Sequence, residues 1–180
     1  MSASELLRKD HEKIRRLERI VSKCSQNLYD GKNIPFDNIE KISLVISEFL
    51  DSIHYSREEN SYFPCVASYD TLKKEIRAFL IEHELGRRIA KNILKNLQRW
   101  KNGEDAREPV ARFLRAYSIY LKDHMSKEEA FFDHAENDVL SKEEEKEMFE
   151  QFQSVMAITS KIEEMMQVIE YLEKQSWFKD

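Results

Sequence analysis

The chain has 180 residues, 35% of them charged, with three glycines and three prolines. Glycine normally makes up about 7% of a chain; so few leave little material for barrels, sandwiches or phosphate-binding loops and point to an all-α fold. A formal net charge of -5 argues against a general nucleic-acid binder, and a 41% hydrophobic share excludes a disordered chain.

Five helical stretches are predicted. The first spans about Ser4 to Leu28, opened by a Ser2/Glu5 capping box, with Leu7, Ile14, Leu17, Val21, Cys24 and Leu28 inward. The second spans about Asp37 to Tyr62 on Ile39, Ile42, Ile46, Phe49 and Ile53. The third runs from about Thr71 to Lys101, with Leu72, Ile76, Phe79, Leu80, Ala90, Ile93, Leu94 and Leu97 inward, and Gly103 supplies a left-handed stop. The fourth runs from about Asp105 to Ala135 on Val110, Phe113, Leu114, Tyr117, Leu121 and Phe131. The fifth follows a second capping box, Ser141/Glu144, and is expected to continue as one helix to about Lys174. Four long helices with short links suit an up-down-up-down antiparallel bundle over 1–138. The remainder, 139–180, forms an additional C-terminal helix packed on the bundle or open to a partner.

The chain carries a weak internal repeat. His54-Tyr-Ser-Arg-Glu58-Glu59 echoes His124-Met-Ser-Lys-Glu128-Glu129, and His11 and His83 each sit early in an odd-numbered helix. Four of the five histidines thus fall one per helix, each continuing an apolar stripe. Phase alone discriminates little, but height is an independent test. At ~1.5 Å per residue, all four lie roughly 11 to 18 Å from the same end of an antiparallel bundle. Glu58 and Glu128 follow His54 and His124 by four residues, which places each pair on one helix face. Inward carboxylates are costly unless paired or bound to metal. Four imidazoles and two carboxylates exceed the four ligands of a structural zinc, and two metals bridged by the carboxylates fit the count best. The competing reading is a bundle with satisfied core histidines and surface glutamates; the shared height and the repeat weigh against it.

These residues resemble the hemerythrin-like family, the HHE cation-binding domain, over about residues 5 to 140. The resemblance rests on Asp10-His11-Glu-Lys-Ile-Arg-Arg, on His54-x3-Glu58-Glu59 with Tyr62-Phe63-Pro64, on Glu82-His83-Glu84, and on His124-x3-Glu128-Glu129 with Phe131-Phe132. It implies two non-haem iron ions joined by an oxo or hydroxo bridge. It further implies His11, His54, His83 and His124 as terminal ligands and Glu58 and Glu128 as bridges, with Glu129 the alternative to Glu128. One departure stands out. Where oxygen carriers of this family place a second third-helix histidine, this chain has Arg87. The resemblance therefore shifts from reversible oxygen carriage toward binding or sensing O2, NO or peroxide, or handling iron and redox stress. Iron–sulfur repair, whose proteins usually add an N-terminal cysteine-bearing segment, is not expected.

Two other classes compete with this reading. A ferritin-like oxidase would need Glu-x-x-His, and the near match is the unrepeated Asp51-x-x-His54. A metal-stabilised adaptor would use the fifth helix, as a homodimer or with a protein partner. No nucleic-acid or membrane partner is expected, since no apolar run approaches the ~20 residues of a membrane span and the first twenty residues are too charged for a signal peptide. Cys24 and Cys65, with no CxxC, read as a reduced cytoplasmic pair. Glu59, Glu84 and His134 are expected on flanks or exposed, Gly86 at a close helix contact, and Tyr62, Tyr117 and Tyr120 near the inner face.

Overall fold

The computed structural model describes residues 1–179, which form helices and no strands. The helices are α1 (Ala3–Tyr29), α2 (36–67), α3 (Lys73–Lys101), α4 (107–139), α5 (Lys142–Gln153), α6 (Met156–Glu173) and a short α7 (Ser176–Lys179). α1 to α4 make the expected bundle, α4 packing against both α1 and α3. Both expected capping boxes close, Ser2 with Glu5 and Ser141 with Glu144. Gly31 (φ +79°) and Gly103 (φ +91°) end α1 and α3 in the left-handed region, where a Cβ is penalised. α3 begins two residues later than expected because Leu72 itself takes a left-handed backbone, φ +55°.

α2 departs from ideal winding. Its stretches Ile46–Tyr55 and Glu58–Tyr62 are π-helical, with wider turns than an α-helix. The Ser52 hydroxyl donates to the Ser47 carbonyl five residues back, at 2.8 Å. The wide turn lets three consecutive residues, Ile53, His54 and Tyr55, all lie buried.

The apolar stripes of α1 and α2 are buried as expected. On α3, Leu80 and Leu94 are instead exposed. This helix packs chiefly between α2 and α4, and its inward stripe narrows to Ile76, Phe79, His83, Gly86, Ile93 and Leu97.

The expected single fifth helix is two. α5 ends at Gln153, Val155 is extended (φ -105°, ψ 97°), and Val155 and Met156 stand exposed at the joint. The two pieces serve different parts of the core. Met148 and Phe152 of α5 join one apolar cluster with Tyr62, Phe63, Phe79, Phe131 and Phe132. Met165, Ile169 and Leu172 of α6 join the other, which runs from Ile14 through Tyr55, Tyr117 and Tyr120. Glu145 ties α5 down from below the surface, accepting from the Ser4 backbone N–H at 2.9 Å and the Ser4 hydroxyl at 2.5 Å. No helix of the described residues is long and apolar enough to cross a membrane.

Candidate metal centre

The four imidazoles meet in one layer between those two apolar clusters. Tyr55 stacks on His83 (3.7 Å between centroids) and Tyr120 on His124 (5.3 Å) from one side. Phe132 lies 5.4 Å from His11, and Phe79 lies 5.7 Å from His124 edge-on, both from the other cluster. His11, His54, His83, His124, Glu58 and Glu128 are each at most 2% exposed.

Both carboxylates reach across the layer. Glu58 Oε1 lies 3.1 Å from His54 Nε2 and its Oε2 3.4 Å from His83 Nε2. Glu128 Oε2 lies 3.2 Å from His11 Nε2, and its Oε1 lies 3.1 Å from His124 Nε2 and 3.5 Å from His83 Nε2. None of these four carboxylate oxygens, nor His11 Nε2, has a hydrogen-bond partner. Buried polar atoms in native proteins are nearly always satisfied, and five such atoms converging on one point fit a cation held between them. His83 Nε2 and His124 Nε2 also face one another at 3.0 Å. The donor set, neutral imidazole nitrogen with carboxylate oxygen, suits a transition metal such as iron. His11, His54, Glu58 and Glu128 cluster closely enough to hold one ion, and His83, His124 and Glu128 another. Glu129, 29% exposed, stays outside the layer.

The outer ring nitrogens explain the residues around each motif. His11 Nδ1 lies 2.9 Å from Glu129 Oε1, His83 Nδ1 2.7 Å from Glu59 Oε1, and His124 Nδ1 2.8 Å from Glu82 Oε2; His54 Nδ1 faces Asp10 Oδ2 at 3.6 Å. A carboxylate can only accept, so each bonded Nδ1 carries a proton, and in the neutral ring that a metal binds the lone pair of those histidines is left on Nε2, which faces inward. A cation backs every one of these carboxylates. Arg15 donates to Glu129 (2.8 Å), Arg57 to Asp10 (2.6 Å), Arg87 to Glu59 (2.9 Å) and Lys127 to Glu82 (2.7 Å). Arg87 also holds Asp51 and Glu84, so Asp51 lies outside the layer and the ferritin-like pairing does not form.

The internal repeat thus governs the surroundings as well as the ligands. The residue before each odd-helix histidine, Asp10 or Glu82, serves the even-helix histidine. The residue after each inward glutamate, Glu59 or Glu129, serves the odd-helix one. Arg87 stands four residues after His83 just as Arg15 stands four after His11. It is the repeat partner of an outer cation, which gives it a place of its own. Asp10, Glu82, Arg15, Arg57 and Lys127 went unassigned from sequence, although the repeat spacing marks all five.

Electrostatics follow the geometry. Burial alone would lower the His54 and His124 imidazoles. The carboxylates outweigh it, Glu58 and Asp10 at His54 and Glu128 and Glu82 at His124, and hold both at about 10. His11 and His83 are raised by the same balance. Burial would raise Glu128, but His124, His11 and His83 hold it well below the usual carboxylate range. Burial is also opposed at Asp10, which His54 and Arg57 bring down to about 2. Burial raises the phenols of Tyr55 and Tyr120, with nearby Glu128 adding to it, so both keep their protons.

Gly86 lies opposite Tyr120. A Cβ built there would fall 2.5 Å from the ring and 2.8 Å from its hydroxyl oxygen. Gly86→Ala should gain about 1 kcal/mol of helix propensity but lose about 1–3 kcal/mol to overpacking. The expected result is a melting temperature lower by a few degrees; an increase in thermal melting would refute the close-packing role.

A family model described as the hemerythrin HHE cation binding domain matches residues 2–135. No curated protein matches the chain, and no solved structure does.

Proposed function

Since the chain belongs to the hemerythrin HHE cation-binding domain family, we propose that the buried layer holds two iron ions and binds O2, NO or peroxide as part of a gas, iron or redox-stress response. His11 and His54 would hold one ion, His83 and His124 the other, with Glu58 and Glu128 shared between them. The observation that carries this reading is the set of four unpartnered carboxylate oxygens, each glutamate reaching from one histidine pair to the other. Ions held there by so few protein ligands would supply exchangeable positions and accessible redox states.

The chain's own residues do the rest. Glu129, Glu59 and Glu82 fix the tautomers of His11, His83 and His124, which is how outer carboxylates strengthen a ligand imidazole. The phenylalanine cluster above the layer and the longer cluster below it exclude bulk water. The two unpaired cysteines suit a reduced, cytoplasmic setting.

Metal content after anaerobic purification tests the proposal. Two irons per chain are expected. An iron-free chain, or one carrying a single zinc, rejects it.

A further inference from the structure

The repeat that governs the ligands and the outer ring breaks in what covers them. One residue after the even-helix histidine stand Tyr55 and Met125. Four before it stand Leu50 and Tyr120. Three after the odd-helix histidine stand Ile14 and Gly86. By position the His11/His54 motifs carry Ile14, Leu50 and Tyr55, and the His83/His124 motifs carry Gly86, Tyr120 and Met125. Across the bundle the two phenols and the glycine come together at His83 and His124. The Tyr55 ring stacks on His83, the Tyr120 ring stacks on His124, and Gly86 leaves the space in which Tyr120 sits. A mid-helix glycine is costly and here serves that placement.

The two hydroxyls lie 2.6 Å apart, in residues 2% and 8% exposed. Two O–H groups bring two protons, and their mutual bond uses one. Neither phenol has a further partner among the described residues, so one buried donor is left over. The opposite side of the layer presents phenylalanine rings to the imidazoles and offers no donor there. A cavity of about 220 Å³ between α2 and α3 reaches Tyr55. Tyr55, Gly86 and Tyr117 line it, as does Ser43, whose buried hydroxyl is also unpartnered.

We propose that the Tyr55–Tyr120 hydroxyl pair selects the small molecule bound at the His83/His124 end, by donating a hydrogen bond to a ligand whose bound form accepts one. The selected class is then the anionic or strongly accepting small molecule, and a non-accepting one gains nothing from the pair. This rests on the metal-layer reading above and adds to it a chosen end and a positioning residue pair.

Azide is the probe. Iron-loaded wild type, Tyr55→Phe, Tyr120→Phe and the double variant are compared for iron content, azide affinity and the azide stretching band in H2O and D2O. Iron content is expected to match wild type in all three variants. Azide affinity should fall about tenfold or more in the double variant, the cost of a lost hydrogen bond to a charged acceptor. The wild-type band should shift in D2O, and that shift should vanish with both phenols gone. Unchanged affinity in a fully loaded double variant, or a wild-type band insensitive to D2O, overturns the proposal while leaving the metal site intact. A wild type that takes up no iron overturns the metal site itself and this proposal with it.

Discussion

Glu128→Ala is expected to leave the chain unable to hold its metals, with affinity reduced by more than about a hundredfold. The side chain is fully buried and its two oxygens lie within 3.1 to 3.5 Å of His11, His83 and His124. No neighbour can replace it. Glu129 is one residue round the helix and already engaged, accepting from His11 Nδ1 and from Arg15. Glu129→Ala should therefore behave differently. It releases an imidazole from its orienting partner, an effect of about 10- to 100-fold on metal affinity. Metal stoichiometry by elemental analysis and competition against a chelator separate the two. If Glu129→Ala proves the more damaging, the assignment of the shared carboxylate is wrong.

That distinction marks where sequence reading stops. The height of the histidines was legible because four long helices with few breakers preserve register over many turns. The choice between adjacent glutamates was not, because one residue is only about 100° of helix and both side chains could turn inward. Tyr55 was missed for a related reason. A 3.6-residue period does not bury Ile53, His54 and Tyr55 together, and π-winding does, yet nothing in ISEFLDSIHY announces a π-helix. Arg87 read as a missing ligand when compared with oxygen carriers. Read against Arg15 in the same chain, it is an outer cation. The repeat relates the charges around the ligands as closely as the ligands themselves. The break at Val155 leaves little trace in the sequence, since apolar spacing carries on through it, and only packing on two separate clusters divides α5 from α6.

Stripping the metals is expected to lower the melting temperature by roughly 8–16 °C at neutral pH, and the gap should widen as pH rises. A ligand at about a thousandfold over its dissociation constant stabilises by about 4 kcal/mol, and a chain of this size moves about 2–4 °C per kcal/mol. The pH dependence follows from the buried imidazoles. In the stripped protein His54 and His124 sit at about 10, above the ordinary 6.5. Their contribution is fully present below pH 6.5 and is lost as pH climbs toward 10. Glu128 has the opposite sign. Its folded value is depressed, so its contribution is present above about 4.5 and is lost as pH falls through that folded value. The stripped protein should therefore be most stable between these limits, near pH 5 to 6. Metal reverses the histidine slope. It binds the deprotonated imidazole, so each proton displaced strengthens binding by about tenfold per pH unit until the imidazole's own value is reached. The loaded protein gains where the stripped one loses. Calorimetric scans of both forms from pH 5 to 9 should show melting temperatures that draw together in acid and diverge in base. Parallel curves would mean that His54 and His124 do not exchange protons for metal.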